Sequence, residues 1–289
     1  MNFHYTRTSR STHALTEDAL ALLAPSVFAL DKHESRSDKF IAVPTIDVVR
    51  ELQRHDFLPI GAKQSRTRDP SRREYTKHLI RFRHASTITP SRATDGVPEI
   101  ILKNANDGTS AYDLMAGVWR EVCLNGLVVL QEGIESIKVR HNGRRVIDDV
   151  VEGTYRVLGQ TETYMAAPEQ WSAIAVSREA AMAYAEEAHM LRFEPESNTT
   201  VKPVDLLRPR RAEDRSTDLW TVFNVVQENI IKGGLSDTRV SLDSRGRQRV
   251  RYMHTRPVNG IDQDISLNRD LWQLTATMAG HISSQHLAA

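Results

Sequence analysis

Apolar residues recur with two different spacings, and the spacing changes about midway along the chain. The first half favours short runs bounded by turn residues. Phe40–Val43, Phe57–Ala62, Tyr75–Phe82, Ile100–Leu102, Leu127–Gln131 and Ile137–His141 read as strands. Leu114–Val122 fits either a strand or a short helix. In the second of the longer runs, His78, Ile80 and Phe82 alternate with Leu79, Arg81 and Arg83. A period of two puts Arg81 and Arg83 on one face together with Leu79. The polar, turn-rich segment Arg66-Thr-Arg-Asp-Pro-Ser-Arg-Arg73 lies between two of these runs, so Phe57–Phe82 reads as a long hairpin with a basic tip.

Helical spacing takes over further on. Near the start, Thr16 is placed to cap a short helix, with Glu17 and Asp18 at its positive end and Pro25 to stop or kink it. Thr45 is expected to cap a second helix, Ile46–Arg54. Val146, Val150, Val151 and Tyr155 give a helix from Arg145 to Gly159. Pro168–Met190 reads as one long helix, its stripe of Trp171, Ile174, Ala175, Ala181, Met182 and Ala185 interrupted by Arg178. Asp218–Ile231 is amphipathic and stopped by Gly233-Gly234. Ser197–Arg215 reads as a connector and Thr238–Arg256 as irregular or strand-like. A last helix spans Ser266–Ile282. Strands followed by helices argue for an α+β fold: an antiparallel sheet with a basic hairpin in the first half, packed against long helices from the second. Residues 1–195 form the strand-rich core with long helices, and 196–289 a helical C-terminal region of the same globule.

The length of 289 residues suffices for an ample core. Cys123 is the single cysteine, so no internal disulfide forms, and its apolar setting reads as a buried structural thiol. The opening segment lacks a basic region followed by a long apolar stretch, and no run approaches the ~20 apolar residues of a membrane span. A bacterial cytoplasm, without membrane attachment, is the expected setting.

Charge changes the picture more than composition does. The formal net charge is only +1, yet Lys63, Arg66, Arg68, Arg72, Arg73, Lys77, Arg81, Arg83 and Arg92 face only Asp69 and Glu74 within their span. Smaller basic clusters follow at Lys138-Val-Arg140 with Arg144-Arg145, at Arg208-Pro-Arg210-Arg211, and at Arg245, Arg247, Arg249 and Arg251. Arginine forks bind phosphate oxygens bidentately, and mobile arginines can follow a nucleic-acid backbone without reading bases. Tyr75 is the candidate for stacking on a base. The bland alternative is a solvated charged loop. Trp119, Trp171, Trp220 and Trp272 sit in apolar-periodic contexts and read as core.

Rival chemistry is thinner. His33 and Glu34 gather in a loop, His78, His84 and His141 fall near strands, and Asp262 and Asp264 precede a helix with Glu228 as a possible third acid. None of these matches a metal-ligand spacing, and the aspartates read equally as a turn and helix start. No phosphate-binding glycine loop and no nucleophile elbow is present. No cofactor, no metal and no catalytic residue is therefore nominated.

Several strings resemble a phage- and plasmid-borne family, domain of unknown function 932. They are Val43-Pro-Thr-Ile-Asp-Val-Val, Gln64-Ser-Arg-Thr-Arg-Asp, Lys77-His-Leu-Ile-Arg-Phe-Arg83, Pro98-Glu-Ile through Asn106-Asp-Gly-Thr-Ser-Ala-Tyr112, Cys123-Leu-Asn-Gly-Leu-Val-Val129, Val139-Arg-His141, Asp218-Leu-Trp-Thr-Val-Phe-Asn-Val-Val-Gln-Glu-Asn229, and Gly260-Ile-Asp-Gln-Asp with Leu267-Asn-Arg. The resemblance transfers no catalytic residue and implies work on DNA or against host defences. A further likeness, at fold level, is to phage single-strand annealing proteins of the Red-beta, RecT and Erf kinds, which assemble as rings or filaments. Here Ile100–Leu102, Leu127–Gln131, Ile137–His141 and the helix from Arg145 would supply their strand and helix core. The expectation is ATP-independent binding and annealing of single-stranded DNA by a homo-oligomer. Phosphate contacts would come from Lys63, Arg66, Arg68, Arg72, Arg73, Lys77, Arg81 and Arg83, then from Arg140, Arg144, Arg145, Arg249 and Arg251, with Tyr75 stacking. An inhibitor that binds a host defence protein and a metal-dependent nuclease are the alternatives.

Overall fold

A computed structural model describes residues 14–34, 43–87, 97–120, 125–129, 136–141, 145–193, 199–242 and 245–288. Phe40, Ile41 and Ala42 of the predicted strand Phe40–Val43 lie outside these residues, as do Arg92, Cys123 and Arg144. The chain divides into two compact units, Met1–Met165 and Ala166–Ala289.

The first unit holds helices α1 (Glu17–Leu23), α2 (Thr45–Arg54) and α3 (Val146–Leu158) and strands β1 (Phe57–Gln64), β2 (His78–His84), β3 (Val97–Ala105), β4 (Ser110–Arg120), β5 (Asn125–Val129) and β6 (Ile137–Val139). The strands form one antiparallel sheet in the order β1-β2-β3-β4. Both β5 and β6 add to the far side of β4, opposite Ala116–Arg120 and Tyr112–Leu114 respectively. Leu114–Val122, open to either assignment from its sequence, is thus extended through Arg120.

Alternation explains the sheet. On one face His78, Ile80 and Phe82 sit opposite Asn104, Leu102 and Ile100, and Leu102 and Ile100 sit opposite Leu114 and Ala116. All are buried. The N-terminus of α2 and the Gly153 side of α3 lie on this face, where Thr45 reaches His78 and Gly153 approaches Leu114. Thr16 caps α1 as expected, its hydroxyl accepting from the Ala19 N–H at 3.2 Å. Thr45 does not cap α2. It is the first residue of the helix, and its hydroxyl points into the core.

The second unit contains most of α4 (Thr161–Ser172) together with α5 (Arg178–Arg192), α6 (Pro203–Leu206), α7 (Leu219–Lys232), the β7–β8 hairpin (Ser236–Leu242 and Gln248–His254) and α8 (Ile261–Ala288). The single helix expected over Pro168–Met190 is two helices. Ser177 starts the second by accepting from the Ala180 N–H, while Ala175 is extended and bridges to Asp218. A capping serine inside an apolar stripe overrode the stripe. Trp171, Trp220, Phe223 and Trp272 build this unit's core, with Trp171 and Trp272 ring centres 4.5 Å apart. Asp218 caps α7, and Gly233 ends it at φ 62°, a conformation glycine tolerates. Among the described residues no helix is long and apolar enough to cross a membrane.

Candidate nucleic-acid interface

The hairpin of β1 and β2 is where the sequence concentrates positive charge, and its arginines have two different fates. Between the strands the chain makes a 3-10 turn at Pro70–Arg72. Asp69 organises it, accepting from the Ser71 hydroxyl at 2.7 Å and the Ser71 N–H at 3.0 Å. Those two bonds, the hydroxyl first, hold the Asp69 carboxyl below its ordinary pKa. The Gln64 amide donates to the Arg73 carbonyl at 2.6 Å and to the Thr76 hydroxyl at 2.8 Å. The loop is therefore built, and Arg66, Arg68, Arg72 and Arg73 stand exposed on it. Lys63 and Lys77 are half-buried at its base. Tyr75 is half-buried too, its ring edge-on to His33 at 5.3 Å, so little of it is open to a base.

Arg81 and Arg83 do not join that surface. Arg81 is 8% exposed and Glu99 1%. Glu99 takes Arg81 Nε at 2.6 Å and Arg83 Nε at 2.8 Å, with Arg81 NH2 on the same carboxylate. Period two was right to put both arginines on one face. That face is not water: Glu99, Ile101 and Met115 lie on it and are buried. A buried and a half-buried cation sharing one buried anion make a structural ion cluster, distinct from the exposed arginines of the loop.

The remaining nominated residues are spread out. Arg140 follows β6 and lines an open cleft of about 300 Å³, shared with Lys138 and Arg156 but also with Asp149 and Glu152. Arg145 is exposed before α3 and 3.4 Å from Asp148. Acids interleave this cluster, so it offers a mixed surface. Arg249 and Arg251 are exposed on β8 in the second unit. In the Arg208–Arg211 cluster Arg208 and Arg210 are exposed and Arg211 is half-buried, and the last two are tied to α7. Arg211 holds Glu228 at 2.6 and 2.7 Å, Lys232 holds it at 2.7 Å, and Arg210 donates to Asn229 at 2.8 Å. Glu228, proposed as a third metal ligand, is thus neutralised, and Asp264 accepts from Asn268 at 2.8 Å within the first turns of α8. Among the described residues no three His, Cys, Asp or Glu side chains gather as a metal site would require.

The sequence reading missed a buried polar network. Ser26 Oγ lies 2.9 Å from His78 Nδ1, and Thr45 Oγ1 lies 3.0 Å from His78 Nε2. Asn104 donates to Thr45 at 3.0 Å and to Asn106 at 3.2 Å, and Asn106 reaches the Ser26 carbonyl at 3.2 Å. His141 Nε2 is 2.7 Å from Asn104 Oδ1, and its ring lies 4.7 Å from that of Tyr112. Burial is the main cause that pushes both His78 and His141 down to about 4, so both imidazoles are neutral. The network pins the 3-10 turn at Pro25–Phe28, α2 and the sheet together. Its serine and histidine are within hydrogen-bond reach, but both are buried away from any substrate. A signal was available: Thr45, Gln64, His78, Asn104, Asn106, Tyr112 and His141 all fall inside the strings that carry the family resemblance.

A family model described as "Domain of unknown function (DUF932)" matches residues 32–272. Two proteins of Escherichia coli (strain K12), UPF0380 protein YfjQ and UPF0380 protein YafZ, are each 42% identical over 269 residues, covering 93% of this chain and 93% of theirs. Neither name assigns an activity. No solved structure matches.

Proposed function

The chain belongs to the family of domain of unknown function 932, and from that premise we propose that it binds single-stranded DNA and promotes annealing of complementary strands without nucleotide hydrolysis. One observation carries the reading: Arg66, Arg68, Arg72 and Arg73 are exposed together on one ordered loop. Guanidinium groups so displayed neutralise successive phosphates and leave base edges free for a second strand. A loop of this size touches few nucleotides, so annealing calls for several copies side by side, as a ring or filament. Work on phage or plasmid DNA in a bacterial cytoplasm is the setting that goes with this reading.

The test is binding of labelled single-stranded and duplex DNA across a salt series. Single-strand binding should weaken steeply with salt, and complementary strands should pair faster in the protein's presence. Replacing Arg66, Arg68, Arg72 and Arg73 together with Gln should flatten the logarithmic salt slope by about 3, at ~0.7 per lost phosphate contact. Absence of binding at about 50 mM salt, where phosphate contacts are strong, sinks the proposal.

A further inference from the structure

Within the described residues β7 and β8 pair only with each other, whereas every strand of the first unit belongs to one larger sheet. The root of this ribbon is fixed. Asp237 accepts from the Thr200 N–H at 2.8 Å, and the Thr238 N–H donates to the Thr200 hydroxyl at 2.8 Å. Beyond the root β8 stands in the open. Every residue of β8 except Met253 is exposed. At the tip, a Cβ added to Gly246 would meet no atom within 4 Å.

The sequence of the ribbon is patterned in a way its exposure makes informative. Arg249 and Arg251 alternate with Val250 and Tyr252, so the strand has one basic and one apolar face. Tyr252 is 84% exposed and Val250 52%. From Arg245 to His254 there are four arginines and no acid. An aromatic ring left in water beside so much positive charge is the combination that single-stranded nucleic acid uses: cations for the backbone, a π-face for a base. A duplex would not use it, because its bases are stacked and present only polar edges in the grooves.

We infer that the β7–β8 ribbon is a second single-strand contact surface, with Arg245, Arg247, Arg249 and Arg251 on the phosphates and Tyr252 stacked on an unpaired base. This rests on the single-strand reading above and adds a surface that the β1–β2 loop does not supply. The geometry permits both contacts at once. Paired strands lie only ~5 Å apart, so arginines rooted on one face reach round the ribbon's edge to a backbone laid along the other.

The experiment uses the full chain and a fluorescein-labelled oligothymidylate, followed by anisotropy at several salt concentrations. Tyr252→Ala should weaken binding about 5- to 100-fold, the range of one lost stack, with the salt slope unchanged. Tyr252→Phe should restore it. Arg249→Gln with Arg251→Gln should instead flatten the slope by about 1.4. Sedimentation of each variant accompanies the titration. If wild type binds and Tyr252→Ala binds equally well, this inference fails while the loop proposal stands. If Tyr252→Ala lowers the oligomeric state and leaves affinity per subunit intact, a second copy covers the face and the inference is overturned. Tighter binding of duplex than of single strand overturns it too. If wild type binds no oligonucleotide, both readings fall together.

Discussion

The two arginine-bearing hairpins, β1–β2 and β7–β8, start from the same local recipe and end differently. Each alternates arginine with apolar residues along its second strand. In β2 the alternation is absorbed, because β3 pairs alongside and sets Glu99 between Arg81 and Arg83. Among the described residues β8 pairs with β7 alone, and Arg249 and Arg251 are exposed on it. The fate of an arginine on a strand is thus decided by the next strand in the sheet, through one acid at the right diagonal. Local sequence sets the face, and tertiary neighbours set whether that face is core or surface.

The largest effect should come from removing that acid. Glu99→Gln takes the shared anion from a buried and a half-buried guanidinium group and should cost about 3–5 kcal/mol by chemical denaturation. Replacing all three groups with apolar residues, Glu99→Leu with Arg81→Met and Arg83→Met, should recover most of the loss, since a buried ion cluster and a packed apolar one are of similar stability. A triple variant as unstable as Glu99→Gln would show that the ions specify the sheet.

Acid should distinguish the hairpins next. His78 opens β2, and burial lowers it and His141 from 6.5 to about 4. Between those values the unfolded chain binds protons that the folded chain refuses. The stabilisation is complete above pH 6.5 and is lost as pH falls toward 4, on the order of 3 kcal/mol for each histidine. Amide exchange at descending pH should open the β2 end of the first sheet. In β7 the group that titrates is an acid, Asp237, whose carboxyl lies below its ordinary range despite burial because the Thr200 and Thr238 N–H groups donate to it, so the ribbon's root should loosen only at lower pH. Smaller still is Gly233→Ala, where a Cβ would sit 2.6 Å from the Thr255 carbonyl oxygen at φ 62°. Strain of about 1–3 kcal/mol should loosen the junction of α7 with the ribbon, visible as a lowered Tm. Least of all, Arg249→Gln should shift stability by under about 0.5 kcal/mol. A larger loss would mean that the β8 arginines are structural after all.

Much of the architecture was legible in the residues, and the misses share a cause. Strand alternation at His78–Arg83 and the cap at Thr16 are local, so they were readable. Thr45 looked like a cap because capping is a local habit of threonine. Its hydroxyl instead serves His78 and Asn104, partners 33 and 59 residues away. Tyr75 looked available for stacking, but its neighbour His33 belongs to another loop. Arg208–Arg211 looked like one uncommitted basic cluster, but Asn229 and Glu228 of α7 hold Arg210 and Arg211. In each case the deciding partner lies far along the chain. The exposed tip, Arg66–Arg73, is turned by local residues, Asp69 with Ser71, and its place between two strands could be read.

Gln64 gives the arginine loop a property that charge alone does not. Its amide nitrogen holds Arg73 and Thr76, while its carbonyl oxygen accepts the Ser26 N–H at 2.9 Å. Ser26 is also the residue that meets His78. One side chain therefore moors the display loop to the innermost polar cluster of its unit. The arc is already held in shape, so the freedom it has left to lose is that of the arginine side chains.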